Sequence, residues 1–370
     1  EVRGHCFAQA VRAHRGHLFR RERDGRAFRR IDHLICYAVK ANSAPEVVRT
    51  FYEAGASFDV ASVAEFLTVH ENVKDLPEEA RQAFIWDRII YANPCKHPGA
   101  IEFAAQRGVS VTTFDSLCEL EKIHKIAPCM QLVLRIRADD PTAQCALGNK
   151  YGAEPDTIEE LCQRAAELGL SIVGVSFHVG SGARDTSAHA RAIEKSFKTF
   201  QTARAHGHSP WLLDIGGGFT SDIHKFSKKI NEKIFDLFPG VTVIAEPGRY
   251  IAESIGTLVT PVIGVKGESL TIDESLYGAF NCVLFDHAQP EPLVVTDKIK
   301  KNKILFGCTC DGMDTISTSI LLPDMEVGDW IIWPRMGAYT LAATTAFNGI
   351  QFNKRKIMPS FRNLKHNLIQ

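Results

Sequence analysis

Between about residues 34 and 250, short apolar runs alternate regularly with longer amphipathic stretches. The short runs are rich in β-branched residues, which is typical of buried strands. The strand candidates are residues 34–39, 57–60, 89–92, 109–113, 131–136, 171–177, 211–215 and 241–245. Nearly continuous apolar strands separated by helices indicate a parallel sheet that is covered on both faces. Eight such strands favour an α/β fold of the (β/α)8 TIM-like barrel type over an open sheet.

The pattern changes after about residue 255, where helical periodicity fades and β-type runs dominate. These runs are residues 257–265, 281–285, 292–295, 303–306 and 329–333. We therefore expect an all-β C-terminal domain. The predicted domains are a barrel over residues 30–253 and a β domain over residues 254–370, with residues 1–29 either associated with the β domain or flexible. The long connection at residues 71–88 is predicted to be a helical insertion on the surface.

The formal net charge of zero argues against a protein-wide electrostatic attraction to nucleic acid or membrane. The arginine-rich stretch at residues 20–30 is interpreted as a solvated face rather than a binding patch. The ten cysteines lack the paired spacing of a zinc site, so we expect no metal and reduced thiols in a cytoplasmic protein. We expect no signal peptide, and no apolar run approaches the roughly 18 residues that span a bilayer.

The polar residues that look out of place in this pattern all follow the ends of predicted strands. They are Lys40, Asp59, Asn93, Asp115, Arg135, His178, Gly216–Gly218 and Glu246. In a (β/α)8 barrel, the loops at the C-terminal ends of the strands form the active-site face. The common position of these residues therefore predicts a site at that end of the barrel.

Lys40 follows the first predicted strand directly. An isolated lysine at a strand end commonly extends its ammonium group into solvent. An amine at a barrel mouth is instead poorly hydrated, which leaves some of it neutral and able to form a Schiff base with an aldehyde.

Three consecutive glycines, Gly216–Gly218, follow a strand and precede a helix that is predicted to begin near Ser221. A tight turn explains such a cluster equally well. Between a strand and a helix, however, exposed backbone N–H groups also make a phosphate-binding site. No Lys-Ser/Thr pair follows and the spacing is not GxGxxG, so the sequence does not predict a nucleotide P-loop or a dinucleotide site.

Two further strand ends carry residues with both a structural and a functional interpretation. Glu246 and Arg249 could form a surface salt bridge, or the arginine could bind phosphate while the carboxylate pairs with a cationic ring nitrogen. His178 could be a satisfied core histidine. Ser181 and the glycines beside it favour a loop that faces a ligand.

Together these residues belong to a series of motifs that resembles a known family. The motifs are YAVKAN (37–42), FDVAS (58–62), SFHVGSG (176–182), LDIGGGF (213–219), AEPGRY (245–250), YGAFNCVLFDH (277–287), GCTCDGMD (307–314) and MGAYTLAATTAFNG (336–349). In this order they are similar to the eukaryotic-type ornithine decarboxylases, which are alanine-racemase-like enzymes of pyridoxal 5'-phosphate (PLP). The resemblance implies a barrel, a C-terminal β domain and a homodimer with active sites at its interface.

The resemblance also implies a set of cofactor-binding residues. Lys40 would form the Schiff base, Glu246 would pair with the pyridine nitrogen, and His178 would stack on the ring. The phosphate would be held by Ser181, Gly216, Gly217, Gly218, Arg249 and Tyr339. Asp59 would support the lysine and the cofactor, and Arg135 would brace the ring site.

For the substrate, the resemblance implies that Asp286 and the partner subunit's Asp311 bind the distal amine and that Phe347 lines the pocket. The partner subunit's Cys310 would govern protonation at Cα, although on sequence alone it could equally be a free buried thiol. Val60, Ala41 and Cys308 depart from the family pattern, and Phe285, beside Asp286, stands where tyrosine is usual.

We therefore expect decarboxylation of a basic amino acid. The leading expectation is L-ornithine to putrescine, a step of polyamine biosynthesis. The alternatives are lysine or arginine decarboxylation in the same family, and a non-catalytic regulatory protein that binds a partner. A regulator of that kind should have damaged cofactor residues, and this chain retains them.

Overall fold

The computed structural model describes residues 35–352, except residues 139, 141, 146, 149, 184, 186, 220–222 and 294–298. The chain divides into two units, residues 1–250 and residues 251–370. The expectations for residues 1–34, for the start of the helix near Ser221 and for the second half of the 292–295 run lie outside the described residues. Within the described part of the chain, no helix is long and apolar enough to cross a membrane.

The first unit is an eight-stranded parallel barrel. Its strands are β1 Cys36–Ala38, β2 Ser57–Val60, β3 Ile89–Tyr91, β4 Val111–Phe114, β5 Gln131–Arg135, β6 Ser171–Ser176, β7 Leu212–Asp214 and β8 Thr242–Ile244. Each strand pairs with the next, in sequence order. A parallel bridge between Ile35 and Ala245, with the Cys36 N–H donating to the Ala245 carbonyl at 2.8 Å, closes the ring. The predicted (β/α)8 barrel is confirmed.

Helices fill the connections between these strands. They are α1 Pro45–Glu53, α2 Val63–Glu71, α3 Glu78–Arg88, α4 Pro98–Gln106, α5 Leu117–Ile126, α6 Ile158–Glu167, α7 Ala188–Ala205, α8 Ile223–Leu237 and the short α9 Arg249–Ala252. Two of them begin at a serine cap: Ser62 accepts from the Glu65 N–H at 3.2 Å, and Ser116 accepts from the Glu119 N–H at 3.4 Å. The predicted helical insertion at 71–88 is confirmed as helix α3.

The barrel interior changes from apolar to polar along the strands. One layer is apolar and consists of Cys36, Ile90, Val111, Val133, Val173, Leu212 and Ile244. Asp214 lies two residues beyond Leu212 on the same strand, so it faces the same interior nearer the C-terminal end. Asp59 and Asp214 are fully buried. Carboxylates are therefore held inside the barrel, towards the end where the site was predicted.

The second unit is built on a five-stranded sheet with the order β12-β11-β10-β9-β13. The strands are β9 Leu258–Lys266, β10 Ser269–Ile272, β11 Lys301–Phe306, β12 Thr315–Leu322 and β13 Trp330–Trp333. One face packs on a core that includes Val262, Leu270, Phe280, Leu305 and Trp333. The strands predicted at 257–265, 303–306 and 329–333 are confirmed.

The strand predicted at residues 281–285 is wrong, because this segment forms a helix, α10 Asn281–Phe285. A short apolar run does not distinguish a strand from a buried helical turn by periodicity. Here the buried Asn281 side chain donates to the carbonyls of Gly278 and Thr340, both at 2.6 Å, and fixes the turn. Strands β10 and β12 were not predicted, and of the 292–295 run Leu293 forms an isolated bridge to Ile332. The second unit is therefore mostly β rather than all-β.

Candidate active site

Lys40 is placed at the open end of the barrel by a single 3-10 turn, Val39–Ala41, that follows β1 directly. The β1–β2 register sets Ala38 opposite Asp59, so the Lys40 ammonium forms an ion pair with the Asp59 carboxylate. The Lys40 side chain is 39% exposed, whereas Asp59 is fully buried. The amine is thus held by a buried carboxylate and remains accessible from the barrel mouth.

Glu65, which was not predicted as a site residue, lies close to this ion pair. Its carboxylate accepts from the Ala61 N–H at 2.8 Å, in the turn that begins α2. Burial raises the pKa of Glu65, and the nearby charge of Asp59 raises it further, while the Ala61 hydrogen bond and Lys40 lower it. The sequence from Ser62 to Glu65 has the S-x-x-E spacing of a capping box, which explains the position of Glu65. This spacing does not indicate that Glu65 lies near Lys40.

Two buried carboxylates, Asp214 and Glu246, lie side by side at the ends of β7 and β8. Asp214 Oδ1 accepts from the Gly216 N–H at 2.8 Å. Asp214 Oδ2 and Glu246 Oε1 are out of contact with solvent and have no hydrogen-bond donor. Burial raises the pKa of both groups, and for Glu246 the charges of Asp214 and Asp59 raise it further. A cationic N–H facing Glu246 would supply the missing donor and stabilise its ionised form.

The three glycines leave no room for side chains. A Cβ on Gly216, whose φ is +61°, would lie 2.0 Å from the Phe177 carbonyl oxygen. A Cβ on Gly217 would lie 2.8 Å from both the Glu246 carbonyl oxygen and His178 Nε2, and one on Gly218, with φ +90°, would lie 2.4 Å from the Gly180 carbonyl oxygen. The glycine loop therefore packs closely against the neighbouring strand ends. Because it has no side chains, its backbone N–H groups can approach an anion closely.

A buried histidine, His189, contacts the backbone of the glycine loop. His189, on α7, contacts the Gly217 carbonyl through Nε2 at 3.2 Å and stacks on Phe219 with a centroid distance of 4.8 Å. Burial lowers the pKa of His189 to about 4, so the ring is neutral and Nε2–H is the donor. Sequence reasoning missed this residue because it lies in the middle of a helix rather than at a strand end.

His178 is held in one tautomer by its own loop. Its Nδ1 accepts from the Gly180 N–H at 3.0 Å, which leaves the proton on Nε2. Burial lowers the pKa of His178 well below its usual value, and the charges of Arg135 and Lys40 lower it further. The half-buried ring is therefore a neutral, apolar-faced group, as expected of a side chain that stacks on a cofactor ring.

The neighbouring cations complete the barrel mouth. Arg249, at the start of α9, donates from Nε and Nη2 to Ser181 Oγ, both at 3.2 Å. Ser181 and Arg249 therefore converge, as an anion-binding pair requires. The Arg135 guanidinium lies over the Tyr151 ring, 5.1 Å from its centroid.

Asn93 and Asp115, the two remaining predicted rim residues, serve the loops instead. The Asn93 amide donates to the Ala61 carbonyl at 3.3 Å, and Asp115 accepts from the Gly152 N–H at 2.7 Å. Among the described residues, no three His, Cys, Asp or Glu side chains are placed to hold a metal ion.

The second unit holds a separate group of residues, which we call the loop cluster: Tyr277, Cys310, Asp311, Phe347 and Asn348. The Tyr277 hydroxyl donates to Asp311 at 2.5 Å, which lowers the pKa of Asp311. The Tyr277 ring stacks on Phe347 with centroids 4.2 Å apart. Cys310, Asp311 and Phe347, all predicted site residues, thus lie in the same group of loops. Tyr277 and Asn348 were missed, although both lie inside the motifs quoted above.

Asp286 and Tyr339 also lie in the second unit. Asp286 is buried at the end of α10, where its N–H donates to the Cys282 carbonyl at 3.1 Å. Tyr339 has a φ of +55°, a left-handed conformation that is rare for an aromatic residue. The neighbouring Phe285 side chain is 71% exposed.

The fold and the barrel-mouth residues define a site that fits a phosphorylated aldehyde cofactor. The amine of Lys40, the glycine loop with Ser181 and Arg249, and the donor-deficient Glu246 match an aldehyde, a phosphate and a cationic ring nitrogen respectively. PLP carries these three groups, so the residues present fit it.

Comparison with known proteins identifies the family. Residues 17–253 match the model of the pyridoxal-binding domain of the pyridoxal-dependent decarboxylases. Antizyme inhibitor 2 of Xenopus laevis is 40% identical over 85% of this chain and 73% of that protein. A chloroplastic ornithine decarboxylase of Nicotiana glutinosa is 42% identical over 87% of this chain and 77% of that protein. The chain belongs to the pyridoxal-dependent decarboxylase family, and its cofactor is PLP.

Solved structures agree with this assignment. The arginine decarboxylase of Paramecium bursaria Chlorella virus, bound to agmatine, is 38% identical, with a TM-score of 0.82 over 93% of this chain and 91% of that chain. A lysine/ornithine decarboxylase of Vibrio vulnificus, complexed with putrescine, is 30% identical, with a TM-score of 0.80 over 94% and 90% of the two chains. The relatives therefore act on basic amino acids of different lengths.

Proposed function

We propose that this protein is a homodimeric decarboxylase of a basic amino acid, with L-ornithine as substrate and putrescine as product. The observation that carries the proposal is Glu246 Oε1, a buried acceptor without a donor at the end of β8. A carboxylate at the ring nitrogen favours the protonated ring and hence the strongest electron sink. This favours decarboxylation over racemisation, for which related enzymes place a cationic arginine at the same position.

When bound, PLP supplies an aldehyde for covalent attachment and a ring that accepts the electron pair released as CO2 leaves. Lys40 would hold the aldehyde carbon, and Asp59 would receive the ammonium when the substrate displaces it. Glu246 would hold the proton on the ring nitrogen. Asp214 lies beside Glu246 and is itself fixed by the Gly216 N–H.

The other barrel-mouth residues would hold and orient the cofactor. The glycine loop, Ser181, Arg249 and Tyr339 would bind its phosphate, and Arg135 would brace the ring site. The neutral His178 ring would stack on one face, which leaves the opposite face for the substrate.

Substrate recognition would depend on carboxylates that face the distal ammonium group. Asp286 and Asp311 would accept charge-assisted hydrogen bonds from it, and Phe347 would line the pocket. In the proposed homodimer, Cys310 and Asp311 of one subunit complete the site of the other. Cys310 would deliver a proton to Cα after CO2 has left.

The proposal also specifies the length of the substrate, which is ornithine rather than lysine or arginine. One methylene changes binding in a pocket by only about 1–3 kcal/mol, so lysine is the first alternative and arginine the second. The similarity to an antizyme inhibitor favours one further candidate, a protein that binds a partner without catalysis. The intact ion pair of Lys40 with Asp59 and the intact glycine loop support the enzyme instead.

Analysis of the amines produced from an equimolar mixture of ornithine, lysine and arginine tests this function. Putrescine should dominate, whereas cadaverine or agmatine as the main product would identify the alternative substrate. Protein that shows the absorbance band expected at roughly 420 nm for PLP joined to a lysine but forms no amine would contradict the proposed activity. Protein that stays colourless after incubation with excess PLP and removal of the unbound cofactor would contradict every decarboxylase assignment and favour the non-catalytic candidate.

A further inference from the structure

Asn348 contacts Cys310 at two points. The Cys310 backbone N–H donates to Asn348 Oδ1 at 3.1 Å, and Asn348 Nδ2 donates to Cys310 Sγ at 3.4 Å. Both residues lie in the second unit and are separated by 38 positions in the chain. A single side-chain amide therefore fixes both the backbone and the sulfur of the residue proposed to protonate Cα.

The backbone of Asn348 is adapted to this contact. Its φ is +55° and its ψ is +14°, a left-handed conformation that asparagine tolerates better than most residues. The preceding residue, Phe347, stacks on Tyr277, and the Thr345 N–H donates to the Tyr277 carbonyl at 2.9 Å. These contacts hold residues 345–348 beside Tyr277 and thereby direct the Asn348 amide at Cys310.

The contact also fixes which end of the amide faces the sulfur. The Cys310 N–H can only donate, so it requires the amide oxygen, and the amide NH2 must then face the sulfur. Since Sγ accepts from Nδ2, the thiol proton cannot point at Asn348 and is directed elsewhere. The same NH2 group can stabilise the sulfur after it has lost that proton.

We propose that Asn348 is a positioning residue that aims the Cys310 thiol proton at the substrate, an inference that rests on the proposed decarboxylase function. After CO2 leaves, the electron pair remaining at Cα takes the proton of Cys310, and the thiolate later regains a proton from solvent. If the proton instead reaches the aldehyde-derived carbon of the cofactor, one water hydrolyses the product to an aldehyde, and the nitrogen stays on the cofactor. The ratio of aldehyde to amine therefore reports how well Cys310 is positioned.

Two variants of the holoenzyme separate the two contacts. Asn348→Asp keeps the oxygen that accepts from the Cys310 N–H but replaces the donor to sulfur with a second acceptor. Asn348→Gly removes both contacts, and glycine adopts the left-handed conformation without strain, so the loop can fold. Asn302→Asp, the same change at an exposed position of β11, is the matched control.

We expect the aldehyde-to-amine ratio to rise about tenfold in Asn348→Asp and in Asn348→Gly, as for loss of one hydrogen bond. The ratio should also rise in Cys310→Ala, which removes the thiol itself. Asn302→Asp should match the wild type. If Asn348→Asp gave the wild-type ratio, the sulfur contact would have no role in the reaction and the inference would be wrong, even if Asn348→Gly were impaired. A wild-type protein that produced no amine at all would instead overturn the proposed function.

A second readout is independent of turnover. The rate of Cys310 alkylation by iodoacetamide at one fixed pH, followed by peptide mass spectrometry, measures how readily the thiolate forms. A carboxylate facing the sulfur disfavours the thiolate, so Asn348→Asp should slow alkylation of Cys310 by about threefold or more, while the control leaves it unchanged. Equal alkylation rates in all proteins would contradict the proposed contact.

Discussion

At the barrel mouth, Asp59 and Asp214 are fully buried and the glycine loop approaches its neighbours so closely that no Cβ fits. In the loop cluster, by contrast, Cys310 and Phe347 are exposed and are positioned by hydrogen bonds and one ring stack. The first region is fixed by the closed barrel beneath it. The second depends on a few side chains. Changes at the barrel mouth should therefore abolish cofactor binding or catalysis, whereas changes in the loop cluster should alter affinity or product in a graded way.

The strongest test of this contrast is Lys40→Ala. We expect kcat to fall on the order of a thousandfold or more, because Lys40 supplies the amine that is held at the Asp59 carboxylate for covalent attachment. Borohydride reduction followed by peptide mass spectrometry should label Lys40 in the wild type and nothing in the variant. Label on another lysine of active wild-type protein would contradict the assignment.

The next largest effect is expected for Gly216→Ala. The new methyl group would overlap the Phe177 carbonyl oxygen, so PLP affinity should fall by about a hundredfold, or about 3 kcal/mol. The measurement is a PLP titration of the apoprotein followed by absorbance. Gly207→Ala is the control, since Gly207 has a similar φ of +85° but nothing within 4 Å of the added Cβ. Equal affinities in the two variants would show that the close approach is irrelevant.

Glu246→Gln tests the chemistry of the barrel mouth rather than its shape. The amide cannot hold the ring nitrogen protonated, so kcat should fall about a hundredfold while KM changes little. Steady-state kinetics measure this split. An unchanged kcat would refute the role of Glu246.

In the loop cluster, Tyr277→Phe removes the hydroxyl that donates to Asp311 but retains the stack on Phe347. We expect KM for the basic amino acid to rise about five- to tenfold, as for one hydrogen bond to a charged group, with a smaller change in kcat. An effect as large as that of Gly216→Ala would mean that the loop cluster is no more tolerant than the barrel mouth.

The last test concerns pH and measures stability rather than turnover. The folded-state pKa of His189, about 4, lies below its unfolded value of roughly 6.5. The unfolded chain therefore binds more protons between these values, and stability falls as the pH is lowered through this window. Between pH 7 and pH 5, His189 should cost about 2 kcal/mol. His189→Phe, which keeps the stack on Phe219, should reduce this pH dependence in denaturant unfolding. An identical slope would contradict burial of a neutral ring.

The same contrast explains what could be predicted from the sequence. Strand periodicity and the rule that barrel sites lie at strand ends located Lys40, Asp59 and the glycine loop. The same rule would also have found Asp214, which ends β7 two residues before Gly216. His189 and Glu65 reach the site from helices, where the spacing of apolar residues gives no indication of which atoms lie behind a loop.

Prediction was weaker in the second unit because its elements are set by long-range contacts. The apolar run at 281–285 satisfies strand and helix patterns alike, and the hydrogen bond from Asn281 to the Thr340 carbonyl decides between them. Strand β12 is rich in serine and threonine, so it does not form the apolar run by which the other strands were predicted. Asn348 and Cys310 are 38 residues apart, and only the folded loops bring them together.

The bridge between Ile35 and Ala245 that closes the barrel also has a consequence for biosynthesis. It brings together the ends of β1 and β8, which carry Lys40 and Glu246, two residues more than 200 positions apart in the chain. Such high contact order makes ring closure a late event, since the last strand must emerge from the ribosome first. Capture of the coenzyme should therefore mark the moment at which the nascent barrel is complete.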